Sequence, residues 1–422
     1  MEIKEKQENN KALLVGVQCR GDDDTEILLD ELQELAESAG IEVMAKVIQQ
    51  RQTPDPATYI GSGKAEELYK ICDSNEIGLA IFDTELSPSQ IKNLEDAFCG
   101  TMRVIDRSML ILDIFALHAN SSEGKLQVEL AQLQYTAPRL IGRGTQLSRQ
   151  QGGNIAMRGP GESKLESDRR YLKRRMDSLL SQLDEVEKNR ETMRARRDKS
   201  GIKQVAIAGY TNAGKSTLLN YLTDAGILAE DKLFATLDPT TRKYTLPCGE
   251  DILLTDTVGF IRKLPHHLIK AFGSTLDEVK YADVIIVVID ASDENYSAQT
   301  EVTKGLLCEL GAGGKPVIYA FNKCDRPAFD IPRLKDVPAD DVVYISALTG
   351  QGVDRLINKI EEIALDGRKN VILHIPNDKL SVINTLYSVG TVRNVEYTDE
   401  YAVVEALLDK KGCGMTEKYI VK

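Results

Sequence analysis

The sequence has no apolar run long enough to cross a bilayer. The longest one, around Val284 to Ile289, is far shorter than the roughly 20 residues that a membrane-spanning helix needs. The first eleven residues, MEIKEKQENNK, are polar and contain no apolar core of the kind that secretory signals have. We therefore expect no stable membrane insertion and no secretory export.

Cysteine and histidine are scarce and scattered. The seven cysteines include no C-x-x-C pair and their number is odd, which argues against a disulfide framework and against a zinc site. Two of the four histidines, His266 and His267, are adjacent, so a histidine-based metal site is not expected. This cysteine usage is typical of a reducing compartment, and we expect a cytoplasmic protein.

Basic residues are in the minority, but they are unevenly distributed. The 422-residue chain has a formal net charge of −12, which by itself argues against nucleic acid as a partner. Between residues 139 and 203, however, 17 Lys and Arg stand against 9 Asp and Glu, so this stretch carries +8 and the remainder −20. Because a single core rarely grows beyond about 250–300 residues, we expect about three domains and a basic surface on one of them.

Residues 1–120 are predicted to form a parallel α/β subdomain. Strands that alternate with helices form parallel sheets, and helical patterns separate the apolar runs at 12–17, 41–48, 79–83 and 102–105. One helix is expected to begin after Ser87, because Pro88 suits the first helical position and Ser87 and Gln90 have the spacing of a capping box.

The same region contains a stretch that looks like a phosphate loop, Gly61-Ser62-Gly63-Lys64. A complete motif would need Gly at position 58 and Ser or Thr at position 65, where the chain has Thr58 and Ala65. We interpret the stretch as a turn that opens a helix rather than as a second nucleotide site.

Residues 121–200 are predicted to form an antiparallel helical hairpin. Apolar residues recur at spacings of three and four, as at the seam of a coiled coil. They are Leu126, Leu130, Leu133 and Ala137 in the first segment and Leu172, Met176, Leu179, Leu183, Val186 and Met193 in the second. Arg190 interrupts the second pattern. Ser163 and Glu166 have capping-box spacing, so the second helix is expected to begin there.

The connection between these helices, 138–162, is long, basic and rich in glycine. It has four arginines and no acid before Glu162, and loops beyond about 12–15 residues are usually functional or disordered. A plain linker is one alternative. We favour a loop that contacts the phosphates of folded RNA, because it has no aromatic residue for stacking on single-stranded bases. The predicted RNA-binding residues are Arg139, Arg143, Arg149, Gly152, Gly153 and Arg158.

A phosphate-binding loop is the clearest motif in the chain. The apolar strand at 205–208 runs into G-x-x-x-x-G-K-S, and a helix follows. In this context backbone N–H groups surround phosphate oxygens at the helix N-terminus. Lys215 can reach the β- and γ-phosphates, and the Ser216 hydroxyl can bind Mg²⁺. The residues of the loop are Gly209, Tyr210, Thr211, Asn212, Ala213, Gly214, Lys215 and Ser216.

Three further motifs follow strands of the same region, 201–366. Asp256-Thr257-Val258-Gly259 would hold Mg²⁺ through water at Asp256 and face the γ-phosphate with the Gly259 N–H. Asn322-Lys323-Cys324-Asp325 ends in a carboxylate that matches the N–H donors of guanine and rejects adenine. Ser346-Ala347-Leu348 would place an N–H near guanine O6. Because ligands bind at the carboxyl ends of parallel strands, these motifs predict a GTPase that binds GTP and GDP.

The segment Phe234-Ala235-Thr236-Leu237-Asp238 is expected to contact the nucleotide as well. A switch needs a threonine whose hydroxyl binds Mg²⁺ and whose N–H meets the γ-phosphate. We favour Thr236 for this role, and Thr240 and Thr241 are the alternatives.

The sequence does not identify a catalytic side chain. Phe260 occupies the position where small signalling GTPases use a glutamine to orient the attacking water, so we expect slow intrinsic hydrolysis. Asn212 is a candidate ligand for K⁺ beside the phosphates. The alternative is that Asn212 only stabilises the loop.

The chain resembles the HflX family of translation-related GTPases over its whole length. The resemblance rests on GYTNAGKS, FATLD, DTVGFI and NKCD, and more specifically on VELAQLQYTAPRL, GPGE and GFIRKLP. It implies a protein that binds the large ribosomal subunit, splits stalled ribosomes under stress and directs its hairpin loop toward the peptidyl-transferase region. Gly273 stands where the family has a basic residue, so no phosphate or RNA contact is expected there.

Residues 367–422 are predicted to form a small α+β domain without a catalytic constellation, and we expect a monomer. Two other functions remain open. A ribosome-assembly GTPase of the Era or Obg type shares the nucleotide motifs, although the chain has neither a GXXG RNA-binding module nor a glycine-repeat domain. A protein-signalling switch would suit the acidic remainder of the chain but not the basic loop.

Overall fold

The computed structural model describes residues 10–21, 24–149, 160–200, 202–223, 233–265, 268, 273–326, 333–334, 337–364, 369–408 and 410–421. Three sheets with their helices follow one another along the chain, and a two-helix hairpin separates the first from the second. The predicted α/β class with these parts is confirmed. Across the described ranges, no helix combines the length and the apolar character that crossing a membrane requires.

The N-terminal subdomain is a parallel sheet covered by helices. Its elements are β1 (Lys11–Gln18), α1 (Thr25–Ser38), β2 (Glu42–Gln50), α2 (Ser62–Ser74), β3 (Leu79–Phe82), α3 (Pro88–Ala97), β4 (Arg103–Asp106) and α4 (Arg107–His118). The strand order is β2-β1-β3-β4, with all neighbours parallel. Six successive residues of β1 are buried, because helices cover both faces of the central strands.

The local signals of this subdomain have the predicted structural roles. Gly61 is the N-cap of α2, and Lys64 forms an ion pair with Glu67 at 2.7 Å. Ser87 and Gln90 form both hydrogen bonds of the capping box of α3. The stretch from Gly61 to Lys64 is therefore the beginning of a helix.

The hairpin consists of α5 (Ser122–Arg149) and α6 (Pro160–Ser200). The predicted loop at 138–162 is too long, because α5 continues beyond Pro138 and α6 begins three residues before Ser163. Pro160 suits the first helical position, where its missing N–H has no helical partner, so the cap expected at Ser163 lies inside the helix.

Pro138 stands inside α5 although proline is unfavourable in a helix interior. It lacks the N–H that would donate to the Gln134 carbonyl, a loss that contributes to a cost of about 3 kcal/mol. The next residue, Arg139, donates hydrogen bonds to Tyr135 O at 2.6 Å and Leu86 O at 2.9 Å. These contacts attach the helix to the N-terminal subdomain on the far side of the proline and offset the loss.

Contacts across the hairpin are partly apolar and partly ionic. Leu130 and Leu179 are buried at the seam, and Arg190, which interrupts the apolar pattern, pairs with Glu123 at 3.0 Å. Met193 was predicted at the seam but is 59% exposed. The neighbouring Arg194 is buried instead, because its guanidinium stacks on a tyrosine ring of the following domain.

The second sheet carries the predicted nucleotide motifs. Its elements are β5 (Lys203–Gly209), α7 (Lys215–Thr223), β6 (Thr240–Thr245), β7 (Asp251–Asp256), α8 (Gly273–Tyr281), β8 (Val284–Asp290), α9 (Tyr296–Glu309), β9 (Val317–Asn322), β10 (Val342–Tyr344) and α10 (Val353–Ala364). The order is β10-β9-β8-β5-β7-β6, and only β6 runs antiparallel to its neighbour. The carboxyl ends of β5, β7, β9 and β10 therefore meet at one edge of the sheet.

The C-terminal sheet is antiparallel and has the element order βαββαβ. Its elements are β11 (Lys369–Pro376), α11 (Ser381–Val389), β12 (Gly390–Tyr397), β13 (Tyr401–Leu408), α12 (Lys410–Thr416) and β14 (Ile420–Val421), in the strand order β12-β13-β11-β14. A bulge in β12 contains Arg393, whose guanidinium binds Cys248 O and, at 2.5 Å, Glu250. The bulge thus attaches this domain to the turn between β6 and β7.

Candidate nucleotide-binding site

The loop between β5 and α7 has the backbone of a phosphate cradle. Gly209 and Gly214 have φ angles of 143° and 94°, and a Cβ on either residue would overlap Val288 O or the Asn322 amide. Asn212 also has a positive φ, 60°. The cleft in front of the loop is lined by its residues and by the first turn of α7, where a helix N-terminus attracts anions.

Lys215 is buried at the base of this cleft. Its Nζ donates a hydrogen bond to Tyr210 O at 2.6 Å. Burial lowers the pKa of Lys215 to about 8, although the nearby Asp256 acts in the opposite direction. A buried ammonium with a single backbone acceptor gains a much better partner when a phosphate enters the cleft.

Three predicted Mg²⁺ residues meet beside Lys215. The Ser216 Oγ donates to Asp256 Oδ2 at 2.6 Å and lies 2.9 Å from Thr236 Oγ1. Asp256 is fully buried, burial raises its pKa, and its Oδ1 has no hydrogen-bond partner among the described residues.

This arrangement fits a magnesium ion. Mg²⁺ takes octahedral oxygen ligands at about 2.0–2.1 Å, so that adjacent ligands lie about 2.9 Å apart. The two hydroxyls of Ser216 and Thr236 have this separation. The unpartnered oxygen of Asp256 suits a carboxylate that reaches the ion through water.

The other threonines considered for the switch have different positions. Thr240 begins β6 and lies opposite Asp256 in the antiparallel pair, and the Thr241 hydroxyl lies 2.9 Å from that of Thr255. Both belong to the sheet, whereas Thr236 lines the cleft.

Three residues of the switch segment, Phe234, Ala235 and Thr236, line the cleft. Leu237 is buried in the core, and the Phe234 ring packs edge-on against Phe115 at 4.8 Å. Phe234 and Leu237 therefore anchor the segment to the N-terminal subdomain through apolar packing.

Asp238, which was also predicted to contact the nucleotide, is engaged within the chain. Its Oδ2 accepts hydrogen bonds from Asn120 N at 2.9 Å and Ser121 N at 2.7 Å, and its Oδ1 accepts one from the Ser121 hydroxyl. Asp238 thus joins the switch segment to the beginning of α5.

The residues expected to recognise guanine converge at the ends of β9 and β10. The Asn322 amide donates to Ala213 O and accepts from Ala347 N, both at 2.8 Å, so it ties this end to the phosphate loop. Lys323 pairs with Asp290 at 2.7 Å, and the Cys324 Sγ donates to a backbone carbonyl.

Asp325 is exposed and available to a ligand. A hydrogen bond from the Ser346 side chain lowers the pKa of Asp325 below its usual range, which keeps the carboxylate ionised. Leu348, at the end of the third motif, is 76% exposed, so only its backbone is suited to a polar contact with a base.

The segment after β7 is fastened to the phosphate loop. Phe260 N donates to Gly209 O at 3.0 Å, and Thr211 N donates to Phe260 O at 2.9 Å. A Cβ on Gly259 would lie 2.7 Å from Thr211 Cγ2 and 3.0 Å from Lys215 Nζ, so glycine is required there. Thr257 is buried but lines the cleft, and Val258 is buried in the core.

A buried ionic network that the sequence reasoning missed joins this segment to the N-terminal subdomain. Arg107 is 1% exposed and binds Asp83 at 2.8 Å and Glu31 at 3.1 Å. Its Nη2 also donates to Arg262 O at 3.0 Å. Glu31 accepts a hydrogen bond from the Tyr210 hydroxyl. The sequence did contain one sign of this network, because the charged residues Asp106 and Arg107 stand directly after a short apolar run.

Among the predicted RNA-binding residues, only Arg139 has side-chain contacts in the described part of the chain. The Arg139 guanidinium stacks on Tyr135 and lies 3.4 Å from Asp106, so it is engaged within the chain and we drop it from the set. Arg143 and Arg149 lie in the last turns of α5. Gly152, Gly153 and Arg158 lie outside the described residues.

Comparison with known proteins gives matches along most of the chain. The family descriptions "GTP-binding GTPase N-terminal", "GTP-binding GTPase Middle Region" and "50S ribosome-binding GTPase" match residues 26–116, 118–197 and 204–323. A solved GTP-binding protein from Sulfolobus solfataricus in complex with GDP is 27% identical, with a TM-score of 0.45; the match covers 84% of this chain and 99% of that one.

Two curated relatives carry the name GTPase HflX. That of Lacrimispora saccharolytica is 49% identical over 96% of this chain and 95% of its own length. That of Escherichia coli K12 is 43% identical over 83% of this chain and 82% of its own length. With this extent of identity, and with the phosphate-loop and guanine motifs at one edge of one sheet, the chain belongs to the HflX family of GTPases.

Proposed function

We propose that this GTPase acts in the cytoplasm, binds the large ribosomal subunit and splits or rescues stalled ribosomes under stress, with GTP and GDP controlling the binding. The observation that supports this most is the bond between Asp238 and the first residues of the hairpin. Asp238 lies two positions after Thr236, which we assign to Mg²⁺ and the γ-phosphate. Any movement of Thr236 on hydrolysis therefore acts on the N-terminus of α5 directly.

The nucleotide chemistry follows from the groups in the cleft. We assign the phosphates to the loop N–H groups and to Lys215, and the guanine to Asp325 and the Ala347 N–H. Ser216 and Thr236, with Asp256 through water, are assigned to Mg²⁺, which neutralises phosphate charge when it is bound. On nucleotide entry the Lys215 ammonium exchanges its backbone acceptor for phosphate oxygens.

Two observations support a ribosomal partner. The description "50S ribosome-binding GTPase" belongs to the family that matches residues 204–323. In addition, the part of α6 nearest the hairpin tip carries an exposed basic band, consisting of Arg169, Arg170, Lys173 and Arg174. Phosphate neutralisation by such side chains supplies affinity for RNA without sequence readout.

Changing Arg143, Arg149 and Arg158 to Ala is expected to weaken large-subunit binding and flatten its salt dependence. Each phosphate that is no longer neutralised reduces the slope of log K against log salt by roughly 0.7–0.9. Co-sedimentation with large subunits in a GTP analogue, at several salt concentrations, measures the slope. GTP affinity should not change, because none of these residues is assigned to the nucleotide site.

The matched control removes three exposed cations away from the hairpin tip, Arg20, Arg355 and Lys418, and should leave the slope unchanged. If the hairpin variant keeps the parent's affinity and slope, the segment is a linker. Absence of subunit binding by the parent itself would favour the alternative, a protein-signalling switch. Preferential binding to assembly precursors would favour the ribosome-assembly alternative.

Asn212 is proposed as a K⁺ ligand beside the phosphates. Its positive φ places it at the wall of the cleft, and its side-chain amide offers an oxygen of the kind that hard cations take. Basal hydrolysis should be slow and should rise severalfold when K⁺ replaces Na⁺, in the parent and not in Asn212→Ala. Equal rates in the two salts would remove this role and leave Asn212 as a loop residue.

A further inference from the structure

The missing glutamine leaves the reaction without a polar side chain directly after Gly259. Phe260 is 1% exposed and packs in the core, and Ile261 is buried beside it. The next residue, Arg262, has the first polar side chain after Gly259, and it is long and always charged. It is therefore the first residue after Gly259 that can offer positive charge to the phosphates.

The backbone of Arg262 is fixed on both sides. Its N–H donates to the Tyr210 hydroxyl at 2.9 Å, and its carbonyl accepts from Arg107 Nη2 at 3.0 Å. Tyr210 belongs to the phosphate loop, so Arg262 cannot drift away from the cleft. The backbone is therefore held beside the phosphate loop, whichever rotamer the side chain adopts.

The guanidinium of Arg262 is less well satisfied. Its Nη1 is buried and has no hydrogen-bond partner among the described residues. A buried unpaired donor costs about 1–3 kcal/mol, and more when the group is charged. Such a group is expected to find its partner in another state of the protein.

A cavity of about 300 Å³ surrounds this side chain. It lies between α1 and the phosphate loop and is lined by Arg262, Thr211, Asn212 and the acids Glu31 and Asp293, among others. Thr211 and Asn212 also line the nucleotide cleft. These two residues therefore form a wall that the cavity beside Arg262 shares with the place assigned to the phosphates.

We propose that Arg262 is a catalytic residue of GTP hydrolysis, whose guanidinium crosses from this cavity to the γ-phosphoryl group. A water oxygen forms a bond to the γ-phosphorus, and the bond to the β–γ bridging oxygen breaks with its electron pair on GDP. One water proton stays on the phosphate and the other goes to solvent. Arg262 keeps its own protons and donates hydrogen bonds to the oxygens that gain charge.

The electrostatics of the cavity explain why the side chain rests there without a nucleotide. Its lining acids, Asp30, Glu31, Glu34, Asp290 and Asp293, outnumber the cations Lys323 and Arg326 that line it besides Arg262, so its walls attract a cation. The phosphates of GTP bring a larger negative charge to the other side of the Thr211–Asn212 wall. The guanidinium then moves toward the stronger field.

The test compares Arg262→Gln and Arg262→Lys with Lys263→Gln in the full chain. Lys263 is the neighbouring cation, but its ammonium already pairs with Asp83 at 3.1 Å. Single-turnover hydrolysis at saturating GTP, the Kd values for GTP and GDP, and the binding of GDP with aluminium fluoride are measured for each variant.

Arg262→Gln should slow hydrolysis at least about 100-fold, since an arginine that acts on the transition state contributes roughly 10³–10⁵. GTP and GDP affinities should stay within about threefold, and the aluminium fluoride complex should no longer form. Arg262→Lys should recover part of the rate, and Lys263→Gln should match the parent. A rate for Arg262→Gln within threefold of the parent, or an equal loss in Lys263→Gln, would overturn the proposal.

Discussion

Asp325→Asn is expected to lower GTP affinity by roughly 10²–10⁴-fold and to raise the affinity for xanthosine triphosphate. The carboxylate accepts two N–H donors of guanine, whereas an amide turns one of these acceptors into a donor, which suits the carbonyl that xanthine has in place of the amino group. The Asp325 side chain is exposed, and the Ser346 bond that lowers its pKa keeps it ionised.

Competition of GTP, xanthosine triphosphate and ATP against a fluorescent GDP measures the change. Asp354→Asn, which alters an exposed carboxylate on α10, is the control and should keep the parent's preference. If ATP competes as well as GTP on the parent protein, the guanine assignment of Asp325 is wrong.

Arg107→Met is expected to lower the free energy of unfolding by about 3–5 kcal/mol. Methionine is of similar length and leaves Glu31 and Asp83 as buried charges without their shared partner, and breaking a buried pair from one side has an effect of this size. Because the chain has several domains, hydrogen exchange of the β3 and β4 amides measures the change where it occurs.

Arg175→Met is the matched control for this variant. Arg175 forms two hydrogen bonds with Glu129, at 2.6 and 2.8 Å, but the pair is about 40% exposed on the hairpin. Exposed pairs contribute about 0–1 kcal/mol. A loss below about 1 kcal/mol for Arg107→Met would mean that water enters the network and screens its charges.

The sequence was sufficient to predict the parts of the fold that local patterns determine. Strands β1 and β3 are near-continuous apolar runs, the Ser87 capping box forms as its spacing requires, and the nucleotide motifs meet because parallel strands end at one edge. Ser216 is in hydrogen-bond contact with Thr236 and Asp256, although these two residues lie 20 and 40 positions after it along the chain.

The remainder depends on contacts between distant segments, which no local pattern encodes. Pro138 by itself predicts that a helix ends there. The helix continues because Arg139 binds Leu86 and Asp106, which the local sequence does not reveal. Asp238 looks like a nucleotide contact in the sequence, but the packing of its domain against the N-terminal subdomain and the hairpin brings Asn120 and Ser121 to it. Met193 has the heptad spacing of the seam but is exposed. The next residue, Arg194, is buried instead, because its guanidinium stacks on a tyrosine ring of another domain.

The bond between Asp238 and the residues before α5 also bears on the order in which the chain is made. Residues 120 and 121 leave the translating ribosome long before residue 238, since synthesis proceeds from the N-terminus at about 5–20 residues per second. The hairpin can coil early, but the N–H groups of Asn120 and Ser121 have no Asp238 carboxylate as acceptor for the next several seconds. A nascent chain that stops before residue 238 therefore has a hairpin that is not yet hydrogen-bonded to the switch segment.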